Sequence, residues 1–130
     1  MIEVLLVDDD ALMRALLAEW LSEAGYRVRQ ARGGEEALRM LRIKPASLLI
    51  TDMDMPGRDG AQTLSEAHRL LPGLAVIAMS GGARHRAPSW VATALEQGAA
   101  KTLAKPFGRQ DLLTAVEEVV PRNTSGATHP

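Results

Sequence analysis

At 130 residues, with 46% hydrophobic and 24% charged residues, the chain has the size and balance of one globular domain that buries roughly two-thirds of its unfolded surface. A net charge of −1, with both signs spread along the chain, excludes the broad basic footprint of direct nucleic-acid binding and any basic membrane-surface segment. Cysteine is absent, which excludes a disulfide framework and thiolate metal sites.

The first strand-like run covers about 2–7 and stops at Asp8-Asp9-Asp10. It is interrupted by Glu3 and is far too short for a signal-peptide core or a spanning helix, so a cytoplasmic location is expected. In Ala11–Glu23, the residues Met13, Leu16, Leu17, Trp20 and Leu21 recur at helical spacing, and Gly25 stops the helix. Further strand-like runs follow at about 27–31, 47–51, 74–79 and 101–104. Helix-period segments lie at about 34–41, 59–71, 89–97 and 109–120. In the last of these Leu112, Leu113, Val116, Val119 and Val120 share a face. Strands alternating with helices of this length predict an α/β fold with a parallel sheet covered on both sides. Right-handed crossovers favour a doubly wound, flavodoxin-like five-stranded sheet in the order 2-1-3-4-5. The domain is expected over 1–120. The polar, Pro- and Gly-containing stretch 121–130 reads as a disordered tail.

Polar residues stand at the carboxyl ends of four of these strands, where open α/β sheets build their sites. Asp8 and Asp9 close the first, Asp52 the third, Ser80 the fourth and Lys105 the fifth. Taken singly, each has an ordinary reading as a helix cap, a turn or a solvated charge. Taken together and in this order they describe a phosphoryl-transfer site. Carboxylates held side by side repel one another unless a cation joins them. A few carboxylates that leave room for water and phosphate oxygens suit Mg²⁺ better than Ca²⁺. Asp8, Asp9 and Asp52 are the expected ligands, with the main-chain carbonyl of Asp54, and Asp10 is the expected cap of the following helix. Asp52 is the expected nucleophile, since carboxylates form acyl phosphates. Ser80, followed by Gly81 and Gly82, offers an O–H donor beside a backbone that can approach a phosphate. Lys105, before Pro106, offers a point charge on a bond able to be cis.

The chain resembles a response-regulator receiver domain of two-component signalling, of the chemotaxis-regulator type, from about residue 2 to 120. The resemblance rests on Val7-Asp8-Asp9-Asp10, on Asp52-Met53-Asp54-Met55-Pro56-Gly57-Arg58-Asp59-Gly60, on Ser80-Gly81-Gly82 and on Lys105-Pro106-Phe107. It implies a (βα)5 fold in which Asp52 accepts a phosphoryl group from a phosphohistidine of a sensor histidine kinase or phosphotransfer protein. It also implies that Asp8 and Asp9 position Mg²⁺, that Ser80 follows the phosphoryl group as switch hydroxyl, and that Lys105 pairs with it. Such a protein is no enzyme towards outside substrates. It catalyses its own phosphoryl transfer and slow dephosphorylation, and acts on a downstream protein target. Its output face is expected over 90–97 and 112–120, through which a homodimer could also form.

Two features depart from the family pattern. The last strand has Thr102 where receivers often keep an aromatic residue whose rotamer follows the switch hydroxyl, so that swing is unavailable. The stretch 81–88 is somewhat long and carries Arg84, His85 and Arg86, which read as solvated loop charges. Asp54, two residues past the phosphoacceptor, is expected near any water attacking the acyl phosphate and so to modulate its lifetime. His68 reads as a surface residue, and Trp20 and the methionines as core. The competing readings are a small aspartate-nucleophile phosphatase of the haloacid-dehalogenase type, using Asp52 and Asp54, and a receiver that works without phosphorylation.

Overall fold

Residues 1–54, 60–81 and 89–120 are described by a computed structural model. Among them, five parallel strands alternate with five helices. The strands are β1 (Glu3–Val7), β2 (Arg27–Ala31), β3 (Leu48–Asp52), β4 (Ala75–Ser80) and β5 (Lys101–Ala104). The helices are α1 (Ala11–Glu23), α2 (Gly34–Ile43), α3 (Gly60–Leu70), α4 (Ser89–Glu96) and α5 (Arg109–Val119). The sheet order β2-β1-β3-β4-β5 is the expected one. The strand order reverses between β1 and β3, and that crevice is where such sheets bind ligands.

Side-chain alternation divides the interior into two layers. Leu5, Val7, Leu49, Val76 and Ala78 face α2, α3 and α4, packing with Leu38, Leu41, Leu64, Ala67, Trp90 and Ala94. Their neighbours Val4, Leu6, Leu48, Ile50, Ile77 and Met79 face α1 and α5, packing with Leu17, Leu21, Leu112 and Val116. Because β1, β3 and β4 are buried on both faces, their sequences read as unbroken apolar runs. Each fully buried leucine contributes about 2 kcal/mol of transfer free energy.

Three boundaries and faces differ from the sequence expectation. β3 and β4 each run one residue further, because parallel pairing continues through Asp52↔Met79 and Ser80↔Ala104 after the apolar pattern has stopped. α2 continues past Leu41 to Ile43, held by backbone bonding while its side chains turn outward, and Lys44 N–H still donates to the Met40 carbonyl at 2.9 Å. In α1 the core takes the arc centred on Leu17, Ala18 and Leu21. Met13 and Trp20 lie partly buried at its margins. Leu16 falls outside that arc and is 42% exposed, with Leu12 one turn earlier at 85%.

His68 is the other correction. Its ring is half-buried rather than free on the surface, with Nδ1 3.3 Å from the Gln97 carbonyl and Nε2 3.0 Å from the Leu74 carbonyl. It ties α3 to the turn after α4 and to the entry of β4. Gly98 sits against the ring at φ 107, so an added Cβ would both strain the backbone and overlap the imidazole. Gly98→Ala is therefore expected to destabilise the fold by about 2 kcal/mol, measured by denaturant unfolding. The loss should be smaller when the same change is made in a His68→Ala background. Among the described residues no helix is long and apolar enough to cross a membrane. The tail 121–130 and the expectations for Arg84, His85 and Arg86 lie outside the described residues.

Candidate functional site

Strand register alone gathers the site. Val7 is paired with Thr51, so Asp8 and Asp52 leave the sheet side by side. Ser80 is paired with Ala104, so Lys105 follows directly beside it, and its N–H donates to the Ser80 carbonyl at 2.8 Å. The Lys105-Pro106 bond is cis. Gly81 lies so close to Lys105 that a Cβ there would stand 2.5 Å from the lysine Cβ. Lysine and Ser80-Gly81 thus pack as one unit, and only a glycine permits it.

The Lys105 ammonium donates to Asp8 Oδ2 and to Asp52 Oδ2, each at 3.0 Å. Its side chain is 18% exposed, against 0% for Asp8 and 6% for Asp52. The other oxygen of each carboxylate accepts a main-chain N–H two residues on. Asp10 N–H donates to Asp8 Oδ1 at 2.9 Å, and Asp54 N–H to Asp52 Oδ1 at 2.8 Å. Such turns fix the carboxylates in direction as well as in place. Arg14 braces the first turn, donating to the Asp8 carbonyl at 2.6 Å and to Gln30 Oε1 at 3.1 Å. Asp10 caps α1 as expected, accepting from Leu12 and Met13 N–H.

Asp9 is exposed and joins Asp8 and Asp52, with carboxylate oxygens from all three within 4.8 Å of one another. Three carboxylates facing a single ammonium leave an excess of negative charge that a divalent cation would neutralise. An all-oxygen donor set with one exposed member fits a small hard cation that keeps some of its water. Burial pushes the Asp52 carboxyl up from its ordinary pKa and Asp8 repels it further, while the Asp54 N–H and Lys105 hold it partly back. Burial works against the charge on Lys105, but its bonds to Asp8 and Asp52 outweigh this and raise its pKa.

Asp54 enters the site by its side chain. The Ser80 hydroxyl, itself 1% exposed, donates to Asp54 Oδ2 at 2.7 Å, and the Gly81 N–H donates to the same oxygen at 3.1 Å. Sequence reading placed this carboxylate near an attacking water and did not link it to Ser80. It also missed Arg14 as a brace and the packing of Gly81 on Lys105. Only the glycine left a mark in the sequence.

The family model of the response regulator receiver domain matches residues 4–117. The chain belongs to this family. Among curated proteins this receiver domain is 38% identical over 122 residues to the transcriptional regulatory protein PdtaR of Mycobacterium tuberculosis (strain ATCC 25618 / H37Rv), covering 92% of the chain and 57% of PdtaR. It is 34% identical over 122 residues to the response regulator receiver protein CpdR of Brucella abortus (strain 2308), covering 90% of the chain and 95% of CpdR. The receiver domain therefore spans little more than half of the first relative and nearly all of the second. Its fold matches the crystal structure of a CheY-like receiver domain protein from Methanospirillum hungatei JF-1 with a TM-score of 0.84 at 29% identity, over 91% of this chain and 92% of that one.

Because the folded-state pKa of Asp52 lies above its ordinary value, the ionised carboxylate weighs against the fold. That penalty is absent below the unfolded pKa and complete above the folded one. In the presence of a chelator, Asp52→Asn is therefore expected to unfold at a higher temperature than the native chain. The gap should close as pH falls and the native carboxyl becomes protonated, which calorimetry across pH would read.

Proposed function

We propose that Asp52 of this receiver domain accepts a phosphoryl group from a phosphohistidine of a sensor histidine kinase or phosphotransfer protein. The observation that carries the reading is the Lys105 ammonium held 3.0 Å from both buried carboxylates, with Asp9 beside them. A carboxylate oxygen of Asp52 attacks phosphorus, the P–N bond to the donor imidazole breaks, and a P–O bond to Asp52 forms. The imidazole leaves with the bonding pair. Asp8, Asp9 and Asp52 would hold Mg²⁺, with the Asp54 main-chain carbonyl as the further ligand. When bound, the ion offsets charge on the phosphoryl oxygens. Lys105 stays anchored on Asp8 and pairs with the phosphoryl group. Ser80 serves as the hydroxyl that follows it.

Response regulators work with histidine kinases and downstream effectors. For this chain, we read Leu12 and Leu16, exposed on α1 just past Asp10, as part of the surface that the phosphoryl donor covers. The output is proposed over 90–97 and 112–120, reaching a downstream protein in the cytoplasm, with self-association through that face compatible with the reading. The commitment of the Asp54 carboxylate to Ser80 and Gly81 argues against its use as acid/base in a phosphatase.

Incubation with acetyl phosphate and Mg²⁺ is expected to add one phosphoryl group per chain by mass spectrometry. Labelling should vanish in Asp52→Asn and on adding EDTA, and undiminished labelling of Asp52→Asn would overturn the assignment. Amide hydrogen exchange with and without beryllofluoride should change within 90–97 and 112–120. Identical exchange there would remove that surface as the output face.

A further inference from the structure

Ser80 and Gly81 close β4 with two donors, and both are already in use. The Ser80 hydroxyl has one proton and serves one strong acceptor at a time, which here is Asp54 Oδ2 at 2.7 Å. The Gly81 N–H adds a second bond to the same oxygen at 3.1 Å. The acceptor is held in front of them by its own main chain, since Asp54 N–H is bonded to Asp52 Oδ1 at 2.8 Å. A single turn therefore carries the Asp52 carboxylate at its start and, two residues on, an anion that occupies the donors at the end of the next strand. Hydrogen bonds to an ionised acceptor are the strong ones, so this arrangement is a defined state of the site.

We propose that the Asp54 carboxylate is a built-in competitor of the phosphoryl group, holding Ser80 and Gly81 in the unphosphorylated arrangement until a phosphoryl group on Asp52 displaces it. The inference rests on Asp52 being the phosphoacceptor, and it gives Asp54 a role as a positioning residue that acts through Ser80. A phosphoryl group on Asp52 presents anionic oxygens that seek the same O–H and N–H. Both anions cannot have them. Asp54 must release the hydroxyl before Ser80 can turn, so its grip sets how much phosphorylation the switch requires.

The competition can be measured with beryllofluoride in Mg²⁺, followed by NMR on the intact chain. Asp54→Ala is expected to lower the midpoint of the beryllofluoride titration about tenfold, the scale of one charge-assisted hydrogen bond. Loss of a nearby negative charge would also lower it, so the comparison is repeated in a Ser80→Ala background. There the effect of Asp54→Ala should shrink to about threefold or less, because the hydroxyl over which the two anions compete is gone. Without beryllofluoride, the Gly81 amide should exchange faster in Asp54→Ala, by a larger factor than the amides at the opposite end of the sheet. Equal fold-changes with and without the Ser80 hydroxyl, or unchanged Gly81 exchange, would overturn the competitor while leaving the phosphoacceptor intact. Failure of the native chain to bind beryllofluoride, or unaltered binding by Asp52→Asn, would instead remove the phosphoacceptor and the competitor with it.

Discussion

Two carboxylates, Asp8 and Asp52, leave neighbouring strands of one parallel sheet almost in contact, and the Lys105 ammonium is what makes that placement tolerable. Like charges at such a separation repel strongly once water is excluded. The lysine bonds one oxygen of each, and main-chain N–H groups take the others. Removing the lysine would leave both buried carboxylates without their counter-charge, a loss on the order of 3 kcal/mol for a fully buried pair and somewhat less where, as here, the cation keeps contact with water. Lys105 reaches its position only because β5 lies beside β4 in the observed register and because Gly81 has no side chain. The chemistry of the site is thus a consequence of strand order.

The two-layered interior explains how the chain sustains a site with net negative charge. Buried leucines on both faces of β1 and β3 supply the free energy, and the acidic turns begin only where the ladders end. At the opposite end of the sheet the chain uses charge differently. Glu3 is ringed by Lys44 at 3.1 Å, Arg29 at 3.2 Å and Arg27 at 3.9 Å, with the Lys44 hydrogen bond foremost in lowering its pKa. There cations outnumber the anion and edge strand β2 carries arginines that discourage pairing with another sheet. One end of the sheet is balanced for stability, and the other is left needing a positive partner.

Most of the fold was legible in the sequence because parallel strands buried on both faces announce themselves as apolar runs, and glycines such as Gly25 and Gly98 mark helix ends at positive φ. Asp8, Asp52, Ser80 and Lys105 were legible as strand-end residues, and register brought them together as expected. Side-chain partners were not. Nothing in the spacing of Asp54 and Ser80 says that one holds the other, because that bond depends on how tightly the turn after β3 closes. His68 misled for a similar reason. Its place on a helix says nothing of the two carbonyls that the following strand and the next helix bring to its ring. Leu16 was assigned to the core by periodicity, which fixes the spacing of a stripe but not the rotation of the helix about its axis.

The position of Thr102 bears on how a change at the site travels. Half-buried in β5, it offers no aromatic ring to swing. Yet Ser80 and Lys105 are joined without any such ring, by the Lys105 N–H to the Ser80 carbonyl and by the packing of Gly81 on the lysine stem. β5 in turn meets α5 through the ion pair of Lys101 with Glu118. Backbone hydrogen bonds and close-packed stems are stiffer links than a rotamer, because they have fewer alternative states of similar energy. A displacement of Ser80 in this molecule is therefore borne by the main chain of β4 and β5 together. The two strands that carry Ser80 and Lys105 are, mechanically, one element.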